Sequence, residues 1–271
     1  MKQDLVSIVV PIYNAESYIE NTVHSLLNQS YSKIEIILVN DGSKDNSLSV
    51  CRHLSEIDSR IKLYSQENSG VTRARAYGVE KACGEWITFV DSDDVLPEKA
   101  IDLLVRNSDN FDIVVGHVCY SIPEKWHYPV FSEKCSSFNA LKYLFNNKLH
   151  SGPIAKLFKK ELFMQDVFLL PRKINYGEDF IMNIRLFQKA FKVNIISDVV
   201  YNYIENPTSV THKRSPFRNL RYCWLYDQIV LKSLSAQNRR RLFFLWTKLC
   251  AIHVKNFNKF RKSKISEISK S

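Results

Sequence analysis

Asp91 and Asp93 flank Ser92 directly after the apolar run Trp86-Ile-Thr-Phe-Val90, so two carboxylates two positions apart stand at the end of an expected buried strand. Side chains at i and i+2 of an extended chain point to the same side. Two carboxylates held that close repel unless a cation, a proton or donor groups intervene. A hard divalent cation, Mg²⁺ or Mn²⁺, answers that need, because it takes oxygen ligands and completes its shell with water and substrate phosphates. A D-x-D triplet also occurs in turns and helix caps, so taken alone it names only a cation. A second acidic pair, Glu178-Asp179, follows Gly177 and opens an amphipathic stretch that reaches Ala190. Acidic residues in a first helical turn meet the positive end of the macrodipole, which is a sufficient reason for the pair unless chemistry claims it.

The elements that must carry these groups follow from periodicity. Leu5 to Val10, Ile34 to Val39, Ile61 to Tyr64, Trp86 to Val90 and Asp112 to Gly116 read as strands. Glu16 to Asn28, Asp45 to Ile57, Val71 to Ala82 and Pro97 to Asn107 read as the helices between them, with Pro97 suited to a first turn. Alternation of near-continuous apolar strands with helices predicts a mostly parallel, doubly covered sheet, which binds ligands at the carboxyl ends of its strands. After four successive strands come Pro11-Ile-Tyr13-Asn14, Asn40-Asp41-Gly42-Ser43, Gln66-Glu-Asn68-Ser-Gly70 and Asp91-Ser-Asp93-Asp94. Each could be a turn, since these are turn-forming residues. Four at one edge favour a site for a nucleotide-type ligand.

From 117 to 211 the pattern is mixed. Phe138 to Asn146 reads as a helix, and Val193 to Ile196 with Val199 to Ile204 reads as a hairpin. The whole chain has 271 residues, 45% hydrophobic and 24% charged, an ordinary globular composition. Six widely spread cysteines without a C-x-x-C pair suit a reducing compartment. No segment reaches the ~18 uninterrupted apolar residues that span a bilayer, so a cytoplasmic location is expected. The charge of +10 is uneven: residues 212 to 271 hold 15 Lys and Arg against 2 acidic residues. There Leu242 to Val254 carries one formal charge, with Arg239 to Arg241 before it and Lys255, Lys259, Arg261, Lys262 and Lys264 after it. Such a segment suits peripheral contact with the cytoplasmic face of an inner membrane, or a helix packed on the domain with a basic face in solvent. No nucleic-acid module signature is present.

Val6-Ser-Ile-Val-Val-Pro-Ile-Tyr-Asn14, Ile37 to Asp45, Asn68 to Arg75, Gly84 to Asp94 and Gly177-Glu-Asp179, in that order, resemble the family 2 glycosyltransferases of GT-A fold. The resemblance covers about residues 5 to 205 and implies an α/β, Rossmann-like, mostly parallel central sheet flanked by helices. It implies an inverting transferase that moves a sugar from a UDP-linked donor to an acceptor hydroxyl of a bacterial surface glycan such as lipopolysaccharide or capsule. Carried onto this chain, it places Tyr13 on the uracil ring and Asp41 on uracil N3–H, with Pro11, Asn68, Gly70 and Ser92 lining the donor. Arg73 or Arg75 would meet the diphosphate, Asp91 the ribose, and Asp93, with Asp91 beside it, the Mn²⁺ or Mg²⁺. His150 or His212 could add a third metal ligand. Asp179 would be the general base, with Glu178 supporting it or binding acceptor. Lys156 stands at a recurrent family position without an assigned role, and Asp94 is expected to cap the following turn. The expected organisation is a catalytic domain over 1–211, with a nucleotide-binding half over 1–116 and an acceptor half over 117–211. A helical, basic and aromatic tail over 212–271 follows. Two alternatives are a nucleotide-binding, membrane-docked scaffold without transfer activity and a sugar nucleotidyltransferase. The latter would carry a Gly-rich basic loop that Pro11 to Glu16 lacks.

Overall fold

The computed structural model describes residues 4–121, 128–171, 174, 177–206 and 220–251. Four strands, β1 (Val6–Ile12), β2 (Ile34–Asp41), β3 (Ile61–Gln66) and β4 (Trp86–Phe89), alternate with α1 (Ile19–Leu27), α2 (Ser47–Ile57) and α3 (Val71–Lys81). Then come α4 (Ala100–Arg106), β5 (Ile113–Tyr120), β6 (Glu133–Ser136), α5 (Ser137–Phe145), β7 (Lys156–Lys159), α6 (Glu178–Lys189), β8 (Lys192–Tyr203) and α7 (Leu220–Ser233). A further helix covers 236–251.

All eight strands form one sheet in the order β3-β2-β1-β4-β7-β5-β8-β6. β1 pairs in parallel with β2 and β4, β2 with β3, and β5 with β8. β7 runs antiparallel between β4 and β5, and β6 runs antiparallel at the edge beside β8. Every residue of β1 and β2 is buried, as a strand covered on both faces requires. Alternate side chains serve two cores. Val9, Ile37, Val39 and Phe89 face α3, α5 and α6, while Ile8, Val10, Ile36 and Leu38 face α1, α2 and α4.

The expected hairpin over 193–204 is one twelve-residue strand, β8. Ser197-Asp198, which reads as a turn, is instead absorbed by slips in register against β5, between Val115 and His117 and again before Val118. A bulge takes up extra residues without reversing the chain. Two short strands, Glu133–Ser136 and Lys156–Lys159, carry no apolar run that sequence pattern could detect.

The described part of the tail is packed on the domain. Tyr226, Ile229, Val230, Leu234 and Leu242 are buried in the same core as α5 and α6. Arg185 Nε and Gln188 Nε2 of α6 donate to Ser233 Oγ and its carbonyl at 3.2 and 2.6 Å. Its outer face keeps Trp224, Phe243 and Phe244 more than half exposed.

Candidate active site

Parallel pairing of the first four strands brings their carboxyl ends to one edge. Asp41 closes β2 and organises that edge. Its Oδ1 accepts from Gln66 Nε2 at 2.7 Å and Ser69 N at 2.8 Å, and its Oδ2 accepts from Gly70 N at 2.8 Å. Asn68 Nδ2 donates to the Asp41 carbonyl at 3.0 Å. A carboxylate offers about four lone-pair positions, so one on Oδ2 is left for an incoming donor. Gly42, with φ +68°, lets the two loops meet, since a Cβ there would lie 2.7 Å from Asn68 N. The turn after β1 is tied down by Asn14 N donating to Ser43 Oγ at 3.1 Å and Lys44 N donating to Asn14 Oδ1 at 2.7 Å. This leaves the Tyr13 ring 46% exposed beside buried Pro11, a free aromatic face at the sheet edge.

The Asp91-Ser-Asp93 triplet is anchored from both sides. Thr22 Oγ1 of α1 donates to the Ser92 carbonyl at 3.0 Å, and Asn206 Nδ2 donates to Asp93 Oδ2 at 3.0 Å. Tyr18 Oη donates to Asn206 Oδ1 at 3.2 Å. Tyr201 Oη accepts from Asp91 N at 3.0 Å and donates to Asp94 Oδ2 at 2.7 Å. Asp94 does not cap a turn as expected. It is buried, and its Oδ1 accepts from Ile204 N at 2.8 Å, so it fastens the triplet to the end of β8. Burial, with repulsion from Asp91, pushes the Asp94 carboxyl up to about 8. Tyr18, Tyr201 and Asn206 carry no sequence signal, because each lies far along the chain from the residue it holds.

The link between the two acidic motifs is Arg75. This α3 side chain is 3% exposed and divides its fork between two carboxylates. Its Nη1 donates to Asp179 Oδ1 and its Nη2 to Asp91 Oδ1, the latter at 2.8 Å. Burial works to lower the Arg75 pKa, and the charges of Asp179 and Asp91 more than reverse it. The guanidinium is therefore permanently charged. Arg73, two positions earlier, is exposed. Asp179 lies in the first turn of α6, whose N-cap is Gly177 at φ +73°. Burial raises its pKa, Arg75 opposes the shift and Asp91 adds to it. Glu178 is pushed up to about 7 by burial and by Asp179. Arg75 Nε and Glu178 Oε2 are buried without a hydrogen-bond partner, an arrangement that a polar ligand would complete.

The donor set fits a divalent cation. Asp93 and Asp91 are oxygen donors of the kind such an ion takes; burial raises the Asp93 pKa against the pull of the Asn206 amide, and Asp91 raises it further. Among the described residues no third His, Cys, Asp or Glu joins such a cluster. His150 is committed otherwise: its Nδ1 accepts from Gly152 N at 3.0 Å, and burial, helped by Lys156, holds its pKa down at about 3. His212 lies outside the described residues, as do Lys255, Lys259, Arg261, Lys262 and Lys264.

A family model described as glycosyl transferase family 2 matches residues 7–166. The chain belongs to that family. Among relatives of this family 2 glycosyltransferase is EpsJ of Bacillus subtilis (strain 168), an uncharacterised glycosyltransferase 34% identical over 76% of this chain. The chain spans 63% of EpsJ's length. TuaG of the same strain, a glycosyltransferase assigned to teichuronic acid biosynthesis, is 41% identical over 40% of this chain and 44% of its own. The solved structure of S. aureus TarS in complex with UDP-GlcNAc matches with a TM-score of 0.72 at 20% identity, over 87% of this chain and 69% of that one. This likeness shows the expected GT-A fold.

Proposed function

We propose that the chain is an inverting glycosyltransferase that moves a sugar from a UDP-sugar to a hydroxyl of a bacterial surface glycan, with Asp179 as general base. The observation that carries this reading is the single buried guanidinium shared by Asp91 and Asp179, because it holds the donor-side triplet and the base at a fixed separation. Tyr13 offers its exposed face to the uracil, and the remaining lone pair of Asp41 accepts its N3–H. Pro11, Asn68, Gly70 and Ser92 line the nucleoside. With Arg75 committed to two carboxylates, the diphosphate falls to Arg73.

Asp93 and Asp91 would hold Mn²⁺ or Mg²⁺, which when bound neutralises charge on the departing UDP. Asp179 takes the proton of the acceptor hydroxyl as that oxygen attacks the anomeric carbon, and the ion pair to Arg75 opposes the rise in its pKa that burial causes. Glu178, whose carboxyl burial and Asp179 push up to about 7, can donate to an acceptor oxygen in its protonated form. The TarS complex with UDP-GlcNAc supports the UDP-sugar class of donor, and the TuaG relationship supports a surface glycan as acceptor. The exposed Trp224, Phe243 and Phe244, with Lys248 Nζ 4.6 Å from the Phe244 ring centroid, support peripheral contact with a membrane.

The test is UDP release from a panel of UDP-sugars with Mn²⁺, beginning with UDP-GlcNAc. Asp93→Ala should abolish release, and Asp179→Asn should still bind UDP while losing about 10²-fold or more in turnover. An Asp179→Asn enzyme that turns over like wild type removes Asp179 as the base.

A further inference from the structure

Lys156 opens β7 with its side chain fully buried. Its Nζ donates to the carbonyls of His150 at 3.0 Å, Gly152 at 2.6 Å and Ile154 at 3.3 Å. An ammonium has three N–H groups, and here each has its own acceptor. Asn183, buried on α6 one turn beyond Asp179, donates to the carbonyls of Ser151 at 2.6 Å and Gly152 at 2.8 Å. Ala155 closes the loop at φ +56°, a left-handed conformation uncommon for alanine. Carbonyls that could have faced water are thus turned inward onto one buried charge and one buried amide, an expensive way to shape a loop.

The loop so shaped lies against the base. A Cβ added to Gly152 would stand 3.6 Å from Asp179 Oδ2 and 2.8 Å from His150 Cε1. Arg75 takes Asp179 Oδ1, so Oδ2 is the oxygen that looks towards the bare backbone of Gly152. Burial pushes the Lys156 ammonium down to about 7, and the nearby Asp179 charge works against that shift.

We propose that Lys156 is a positioning residue for transfer: by gathering the carbonyls of His150, Gly152 and Ile154 it holds residues 150–155 as a fixed wall beside Asp179 Oδ2, where the attacking hydroxyl must lie. This rests on Asp179 being the base. A hydroxyl approaching Oδ2 has Gly152 on one side because no side chain intervenes, and the gap stays open only while the loop is held. A Lys156→Met chain fills the same volume but strips the carbonyls of His150 and Ile154 of this donor and leaves Gly152 with Asn183 alone, so the wall should loosen.

The experiment compares Lys156→Met with wild type in three measurements: amide hydrogen exchange over 150–155, titration with UDP and Mn²⁺, and UDP release from UDP-GlcNAc with water as acceptor. Exchange should rise about tenfold or more. UDP affinity should stay within about threefold and release should fall about tenfold or more. Unchanged exchange, or faster exchange with unchanged release, overturns the proposal. If Lys156→Met does not fold, Gly152→Ala decides, since it keeps Lys156 while its methyl, 2.8 Å from His150 Cε1, must displace the wall. It should lower release at unchanged UDP affinity, and release at the wild-type rate overturns the proposal. An inactive Asp179→Asn beside a fully active Lys156→Met sinks this inference alone, whereas an active Asp179→Asn sinks the base reading beneath it.

Discussion

Arg75 shows how one residue can be structural and chemical at once. Its Nη1 and Nη2 each reach a different carboxylate, a geometry that suits the planar fork of arginine and not the point charge of lysine. Arg75→Met would leave Asp91 and Asp179 without the guanidinium between them, Lys156 being the remaining cation near Asp179. Removing one partner of a buried ion pair costs about 3–5 kcal/mol, and both carboxylates here are about one-third exposed, so the lower end applies. Urea unfolding should show a loss of about 3 kcal/mol at neutral pH. The sign of its pH dependence is fixed: without Arg75 the Asp179 pKa rises further, the acid is protonated as pH falls, and the loss shrinks. A loss that grows on acidification would mean that the guanidinium is not what keeps these groups charged.

At the scale of elements, the N-terminus of α6, which carries Asp179, is gripped by α7. Tyr226 Oη donates to the Gly177 carbonyl at 3.2 Å, and a Cβ on Gly177 would meet the Tyr226 ring at 2.7 Å. Gly177→Ala therefore combines a left-handed alanine, about 1–2 kcal/mol, with a displaced Tyr226. Thermal unfolding should show lower stability, and UDP release should fall further than UDP binding, because Asp179, the proposed base two residues away, is tilted. Equal losses in both would mean that α7 steadies the domain without aiming the base. Sequence pattern does reach much of this level. β1 and β2 are legible because both faces are buried and most of their residues are apolar, Ser7 and Glu35 being the polar breaks within the runs. β8 is not, since a bulge and a turn draw on the same Ser-Asp vocabulary, and β6 and β7 are too short to have a period.

For the whole molecule, the uneven charge and the tail are one question. No helix among the described residues is long and apolar enough to cross a membrane. The helix over 236–251 instead turns Leu242 into the core and Phe243 and Phe244 outward, with 15 basic residues across 212–271. Packing on the domain thus leaves a second face of the same helix exposed, the face proposed to meet a membrane. The chain should float with vesicles containing anionic phosphatidylglycerol at low salt and be released as salt screens the charges. Phe243→Ser with Phe244→Ser should weaken flotation about tenfold or more while leaving UDP release in solution unchanged. Failure of the wild-type chain to float would remove the membrane from the proposed function.

The sequence by itself determined the kinds of group placed at the strand ends: an aromatic after β1, a carboxylate closing β2, a glycine turn after β3 and the acidic triplet after β4. Those are local facts, set by the two-residue period of strands and by the parallel order that short crossovers impose. Only the tertiary structure decided which groups meet. Arg75 lies 16 residues from Asp91 and 104 from Asp179, and nothing in local propensity selects that pairing. It arises because α3 and α6 pack on the same face of the sheet, where a buried guanidinium must find carboxylates and a buried ammonium, Lys156, must find carbonyls.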